Sequence, residues 1–349
     1  MVESTMLKTA IVTDRLYLKH FAGRSHPERP ERIAAMIEMA ASLDRPNLEL
    51  LAPRSATLEE VALCHDVNYI ASVERTASVA RFDFDPDTHS CPDTYRTALL
   101  AAGGVLTAAE AVLDGAADNA FALVRPPGHH ARPARAMGFC FFNNVAITAR
   151  WLLEKRGLER VMIVDWDLHH GNGTQEIFYE SAQVLYASTH EYPHYPGTGS
   201  MHEMGAGTGA GFTVNAPMPA EYGDDEYLRF FDELILPIGR KFKPQFILVS
   251  CGFDCHFRDP LGDMRVTESG FAAMTRRVKQ LAAECCGGRI IAALEGGYDL
   301  EAMVDSGRAV IEELGREADE PIAKPRGGER VMPIIERAAH GVGKFWDLG

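Results

Sequence analysis

The chain has 349 residues, 46% apolar and 24% charged, which excludes the disordered, collagen-like and disulfide-scaffold classes. Its 49 Asp and Glu outnumber 35 Lys and Arg, a formal charge of −14, so it lacks the basic footprint of a dedicated nucleic-acid binder and no direct nucleic-acid partner is expected. The start (MVESTMLKTAIVTD) has no secretory pattern, no run of about 18 apolar residues suggests a membrane span, and the seven cysteines form no C-x-x-C pair; together these predict a cytoplasmic protein with reduced thiols.

Taken in chain order, short and continuously apolar runs predict strands at 8–13, 119–124, 160–166, 183–188, 245–251 and 289–294. Continuous rather than alternating apolarity marks strands covered on both faces. Helical stretches are predicted between them at 27–43, 93–114, 144–156, 223–242, 267–284 and 300–315, with start signals at Pro92-Asp93 and Thr267-Glu268-Ser269. This alternation predicts the α/β class: one domain over 1–349 with a central, mostly parallel sheet flanked by helices on both faces. Its core covers about 8–316. Residues 317–330 read as a loop leading to a terminal helix at 331–343, which has Val331, Ile334, Ile335 and then Phe345-Trp346 to pack on the core.

The unusual polar residues fall just beyond the carboxyl ends of four strands. Arg125-Pro126-Pro127-Gly128-His129-His130 follows the second predicted strand, and Asp165-Trp166-Asp167-Leu168-His169-His170 ends the third. Gly252-Phe253-Asp254 and Glu295-Gly296-Gly297-Tyr298 follow the last two. In open parallel sheets that rim is where ligands bind. A lone D-x-H is more often a buried polar pair than a site. Here Asp167 and His169, two residues apart, join a carboxylate from a distant loop, leaving a fourth tetrahedral position open, which is the plan of a catalytic zinc. Beside such a centre, one of the tandem histidines can take a water's proton and return it to a leaving amine. Tyr298 can stabilise an oxyanion opposite the metal. Two other patterns carry no chemistry. The glycine-rich Gly205–Ala210 run precedes a strand-like segment rather than a helix, so it fails as a dinucleotide fingerprint. Asp224-Asp225 belongs in the first turn of its helix, where carboxylates favour the macrodipole.

HPERPERI (26–33), RPPGHHA (125–131), GFCFFNN (138–144), DWDLHHGNGTQ (165–175), YPGTG (195–199), GFDCHFRDPLG (252–262) and EGGY (295–298), in this order, resemble the histone deacetylase family. That family includes bacterial deacetylase-like amidohydrolases and acetylpolyamine amidohydrolases, and belongs to the arginase–deacetylase superfamily. The resemblance spans roughly 8–346. It implies Zn2+ held by Asp167, His169 and Asp254. It also implies His130 as general base and acid with His129 as its electrostatic partner, Asp165 orienting His129, Asn172 contacting His130, and Tyr298 polarising the carbonyl. Asn172 stands where class I members carry Asp, so the chain resembles class II, and the amide leaves His130 easier to deprotonate. Tyr298 stands where some class II proteins carry His, which argues for a competent enzyme. A structural K+ would map to Asp165, Asp167, His169, Ser188 and Thr189, largely through backbone oxygens.

The same resemblance places Gly138, Phe139, Tyr195, Leu261 and Gly297 at the substrate, with Phe139 and Tyr195 as the aromatic walls of a narrow acyl-lysine tunnel. Polyamine-specific relatives carry a glutamate in the loop after the third ligand. Leu261 stands at the matching position and makes no ion pair, which favours acetyl-lysine-like or other neutral-tethered amides. The net charge of −14 still attracts cationic substrates, so acetylpolyamines or other small amides stay open. A zinc-retaining acyl-binding module with negligible turnover is the reading from another class. An arginase-like dimetal site would need carboxylates where this chain offers His129-His130 and Tyr298. Bacterial relatives suggest a homo-oligomer, dimer or tetramer.

Overall fold

The computed structural model describes residues 6–317 and 322–347. Residues 1–5, 318–321 and 348–349, and with them part of the expected 317–330 loop, lie outside the described residues. The strands are β1 (Thr9–Val12), β2 (Leu48–Leu51), β3 (Phe82–Asp83), β4 (His89–Ser90), β5 (Asn119–Ala122), β6 (Val161–Asp165), β7 (Val184–Glu191), β8 (Thr213–Met218), β9 (Phe246–Cys251) and β10 (Ile290–Leu294). Eight of them form one sheet in the order β2-β1-β5-β10-β9-β6-β7-β8, every pairing parallel, while β3 and β4 pair separately as an antiparallel ribbon. Every residue of β5, β6, β9 and β10 is buried, as the continuous apolar runs predict for strands between two helical layers.

Two sheet strands, both at edges, are absent from the predicted strands; the segment after Gly205–Ala210, read only as strand-like, is β8. LELL of β2 is short and half-exposed, and Glu49 interrupts its apolar run. β8 contains Pro217, which demotes a segment to an edge position. That edge is not left open. The terminal helix Met332–Trp346 lies against it, with the Trp346 ring 5.1 Å from that of Phe212 and its indole N–H donating to the Gly211 carbonyl at 2.6 Å. Val331, Ile334, Ile335, Ala338 and Val342 bury the inner face of this segment in the common core.

The major helices cover Pro30–Ser42, Thr94–Leu113, Asn144–Arg156, Glu268–Cys286 and Leu300–Leu314. The first starts three residues later than expected because Arg29 is extended and Pro30 takes the opening position its fixed φ favours. The stretch expected as one helix at 223–242 is Asp224–Phe230, a π-segment Phe231–Ile235 and Leu236–Phe242. Pro237 has no N–H for the carbonyl one turn back, and the backbone widens before it. Leu58–Val61, Val67–Arg75 and Asn172–Phe178 are further helices, too short for a clear period. Among the described residues Thr94–Leu113 alone is long and apolar enough to cross a membrane; it is mostly buried, as a core helix is. All seven cysteines are free.

This strand order positions the site. The four strands whose ends carry His129-His130, Tyr298, Asp254 and Asp167/His169 are β5, β10, β9 and β6, side by side at the centre of the sheet. All run the same way, so all four ends open on one rim.

Candidate active site

β6 ends at Asp165, and the chain then bends so that Asp167 and His169 face the Asp254 loop beyond β9. One donor atom from each of Asp167, His169 and Asp254 lies within 4.8 Å of the others. His169 Nδ1 is 3.0 Å from Asp254 Oδ2 and 3.3 Å from Asp167 Oδ1. The remaining carboxylate oxygens are held by the backbone: Leu168 N–H donates to Asp254 Oδ1 at 2.8 Å and Gly296 N–H to Asp167 Oδ2 at 2.8 Å. Gly252 and Gly296 make room for this arrangement, because a Cβ on either would lie 2.1–2.2 Å from an aspartate oxygen. Two buried carboxylates this close repel unless a cation sits between them, and two oxygens plus an imidazole nitrogen suit zinc.

The tandem histidines stand beside this cluster with ring centres 4.0 Å apart, in opposite electrostatic settings. His129 Nδ1 meets Asp165 Oδ2 at 3.1 Å, and that same oxygen accepts the Tyr186 hydroxyl at 3.0 Å. Burial disfavours the charged imidazole, but the Asp167 and Asp165 carboxylates outweigh it and hold His129 above the usual range. His130 Nδ1 meets only the neutral Asn172 Oδ1, at 2.7 Å. Burial and then the charges of His129 and His169 push His130 well below the usual range. With Asn172 Oδ1 accepting from Nδ1–H, the His130 Nε2 lone pair is free to face the site. One environment favours the imidazolium and the other the neutral imidazole.

Tyr298 is buried, and burial raises its phenol well above the ordinary value, keeping it a proton donor. Its ring meets Phe139 edge-on at 5.9 Å. Phe139, Tyr195, Gly138, Leu261, both histidines and Tyr298 line a cavity of about 210 Å³ above His169. Gly138 is left-handed at φ 57° and lies so close to His130 that a Cβ would be 2.3 Å from its ring. Gly297, at φ 115°, stands outside the lining but turns the backbone into Tyr298. Ser188 and Thr189 are buried on β7, where Ser188 is in register with Asp165. The Ser188 hydroxyl pairs with His190 Nδ1 at 2.9 Å, whereas Thr189 Oγ1 has no partner among the described residues.

Sequence reasoning missed several contributors. Glu28, inside HPERPERI, is fully buried and bonds Arg125 (2.5 and 2.8 Å) and Arg32 (3.1 Å). Burial opposes its charge, but Arg125, His20 and Arg32 outweigh that and lower its carboxyl to about 2. Arg32 in turn donates to the carbonyls of Glu295 (2.7 Å) and Gly297 (2.5 Å), tying the loops after β5 and β10 together. Glu295 accepts the backbone N–H groups of Gly128 (2.6 Å) and His129 (3.2 Å). Both glutamates stand inside quoted motifs, yet nothing local shows what they reach. Asp87 and His194 also line the cavity; His194 is next to Tyr195, and its ring is 5.1 Å from that of His169.

Residues 26–314 match the histone deacetylase domain model. The chain is 46% identical over 299 residues to a probable deacetylase of Archaeoglobus fulgidus, covering 85% of this chain and 83% of that protein. It is 36% identical over 328 residues to a histone deacetylase-like amidohydrolase of Pseudomonas aeruginosa (88% and 86% covered), and 40% identical over 313 residues to the human polyamine deacetylase HDAC10 (85% and 46%). The crystal structure of an HDA15 HD domain superposes with a TM-score of 0.89 at 36% identity, covering 98% of this chain and 96% of that one. The chain is a member of the histone deacetylase family, hydrolases of acetylated amides.

Proposed function

We propose that this protein is a zinc-dependent hydrolase of N-acyl amides whose substrate is acetyl-lysine-like. The observation that carries this reading is the Asp167, His169 and Asp254 donor cluster beneath a cavity that Phe139 and Tyr195 wall and that His130 and Tyr298 border. When bound, zinc supplies Lewis acidity to the amide carbonyl and acidifies water. Neutral His130 takes the proton of the attacking water at Nε2 and returns it to the leaving amine. His129, whose cationic form Asp167 and Asp165 favour, adds positive charge beside the developing oxyanion. Tyr298 donates its O–H to that oxygen. Phe139 and Tyr195 exclude water along an uncharged methylene chain.

The finer readings follow the same residues. Asp165, Asp167, His169, Ser188 and Thr189 would hold a structural K+. Asn172 opposite His130 follows the class II pattern of a bacterial amidohydrolase. We read 1–349 as one deacetylase unit with 317–349 packed on the core about 8–316, cytoplasmic and without a nucleic-acid partner, and assembling as a dimer or tetramer.

A second reading, an acetylpolyamine hydrolase, draws on Asp87 in the cavity lining and on the relative named a polyamine deacetylase. Comparing kcat/KM on acetyl-lysine peptides, longer acyl-lysines, acetylputrescine and acetylspermidine separates the two. Acetyl-lysine peptides should lead. His130→Ala and Tyr298→Phe should each lose about two orders of magnitude or more in kcat; near-normal rates would remove their assigned roles.

A further inference from the structure

Asp259 is a buried carboxylate that the chemistry above leaves unused. It stands five residues after Asp254 on the same loop, and each of its oxygens is turned toward backbone N–H groups. Oδ1 accepts from Leu261 at 3.0 Å, and Oδ2 accepts from Tyr298 at 2.6 Å and Asp299 at 3.2 Å. These donors belong to a wall of the cavity, to the residue carrying the phenol, and to the cap of the helix Leu300–Leu314.

Tyr298 needs such an anchor. Its hydroxyl has no hydrogen-bond partner among the described residues, so the phenol's place is set by its ring contacts and its backbone. The backbone on its N-terminal side is Gly297 at φ 115°, a region that gives the loop freedom. Arg32 holds the Gly297 carbonyl from one side and Asp259 holds the Tyr298 N–H from the other.

We infer that Asp259 is a positioning residue for catalysis: one carboxylate joins the Asp254 loop to the Tyr298 loop, so that the third metal donor and the phenol keep a fixed separation. The inference rests on the role given to Tyr298 above. Asp259→Ala removes both acceptors and so releases the Tyr298 N–H, whereas an asparagine could keep its amide oxygen on Tyr298 and Asp299 and turn its NH2 toward Leu261.

The test is a double-mutant cycle on the zinc-loaded enzyme with an acetyl-lysine peptide, with zinc content and Tm measured for every variant. Asp259→Ala should lower kcat about 100-fold, as expected for a misplacement of about 1 Å, with KM and zinc content unchanged. In a Tyr298→Phe background the same change should have almost no further effect, because the hydroxyl it places is already gone. An equal loss in both backgrounds, loss of zinc, or an unchanged kcat would each overturn the inference. Should Asp259→Ala fail to fold, Asp259→Glu, which keeps the charge but shifts the acceptor by one methylene, takes its place in the same cycle. Wild-type activity in Tyr298→Phe alone would instead strike at the proposed function, so the two failures are distinct.

Discussion

Gly138→Ala tests the link between backbone geometry and the proposed general base. Gly138 sits at φ 57°, and an added Cβ would lie 2.3 Å from His130 Cδ2 and 2.7 Å from Cγ, against 3.4–4 Å for ordinary contact. Either the imidazole or the Gly138 backbone must therefore shift by about 1 Å. The imidazole has little slack, since Asn172 holds Nδ1 at 2.7 Å and the His129 ring is 4.0 Å away. A displacement of that size costs about 100-fold in turnover. Left-handed backbone adds about 1–2 kcal/mol of strain for alanine, worth a few degrees of Tm. Gly157 is the matched control: it is left-handed at φ 71° with nothing within 4 Å of a built Cβ. Both variants should show the modest Tm loss in calorimetry, and Gly138→Ala alone should lose kcat on an acetyl-lysine peptide. Equal kcat values for the two would refute the reasoning, because His130 would then be either unmoved or uninvolved.

Removing metal with a strong chelator should abolish turnover and added zinc should restore it, with Asp254→Asn binding less than one zinc per chain by elemental analysis; a metal-free preparation at full activity sinks the zinc assignment. Leu261→Glu places a carboxylate in the cavity lining and should raise kcat/KM for acetylputrescine relative to acetyl-lysine peptide by about tenfold, the worth of one charge-assisted contact. An unchanged ratio would mean that this wall does not meet the far end of the substrate. Glu28 has its carboxyl lowered from 4.5 to about 2, so between those values the unfolded chain takes up the proton first. The stability it contributes is whole above about pH 4.5 and drains away as pH falls through about 2. Glu28→Gln should therefore be less stable at neutral pH and show a flatter loss of stability across that acid window. The same acid slope as wild type would show that the Arg125–Glu28 pair is not what titrates.

Much of the site was legible because metal ligation and proton transfer demand particular side chains. In the roles proposed for them, Asp167, His169, Asp254, His129, His130 and Tyr298 need those residue types, so they stand out beside apolar strands. Glu28, Glu295, Arg32 and Asp259 were not legible. Arg32, Glu295 and Asp259 hold backbone groups across separations of up to 265 residues and Glu28 holds the Arg125 side chain 97 residues on, and a local pattern carries no trace of such a partner. Edge strand β2 was obscured, and β8 visible only as a strand-like segment, for a related reason: with one neighbour, a strand does not need the apolar run that marks the centre of the sheet.

The amino-acid sequence alone determined the α/β alternation, the central strands and the residue types of the site, because burial on two faces and metal chemistry each leave a local signature. The tertiary structure alone decided which segments became neighbours. It placed β10 and β9 between β5 and β6, which brought four distant loops to one rim. It also gave two adjacent histidines opposite charge preferences, since Asp165 and Asn172 reach them from different elements. Periodicity and composition act over a few residues, whereas strand order and electrostatic environment depend on contacts between residues far apart in the chain.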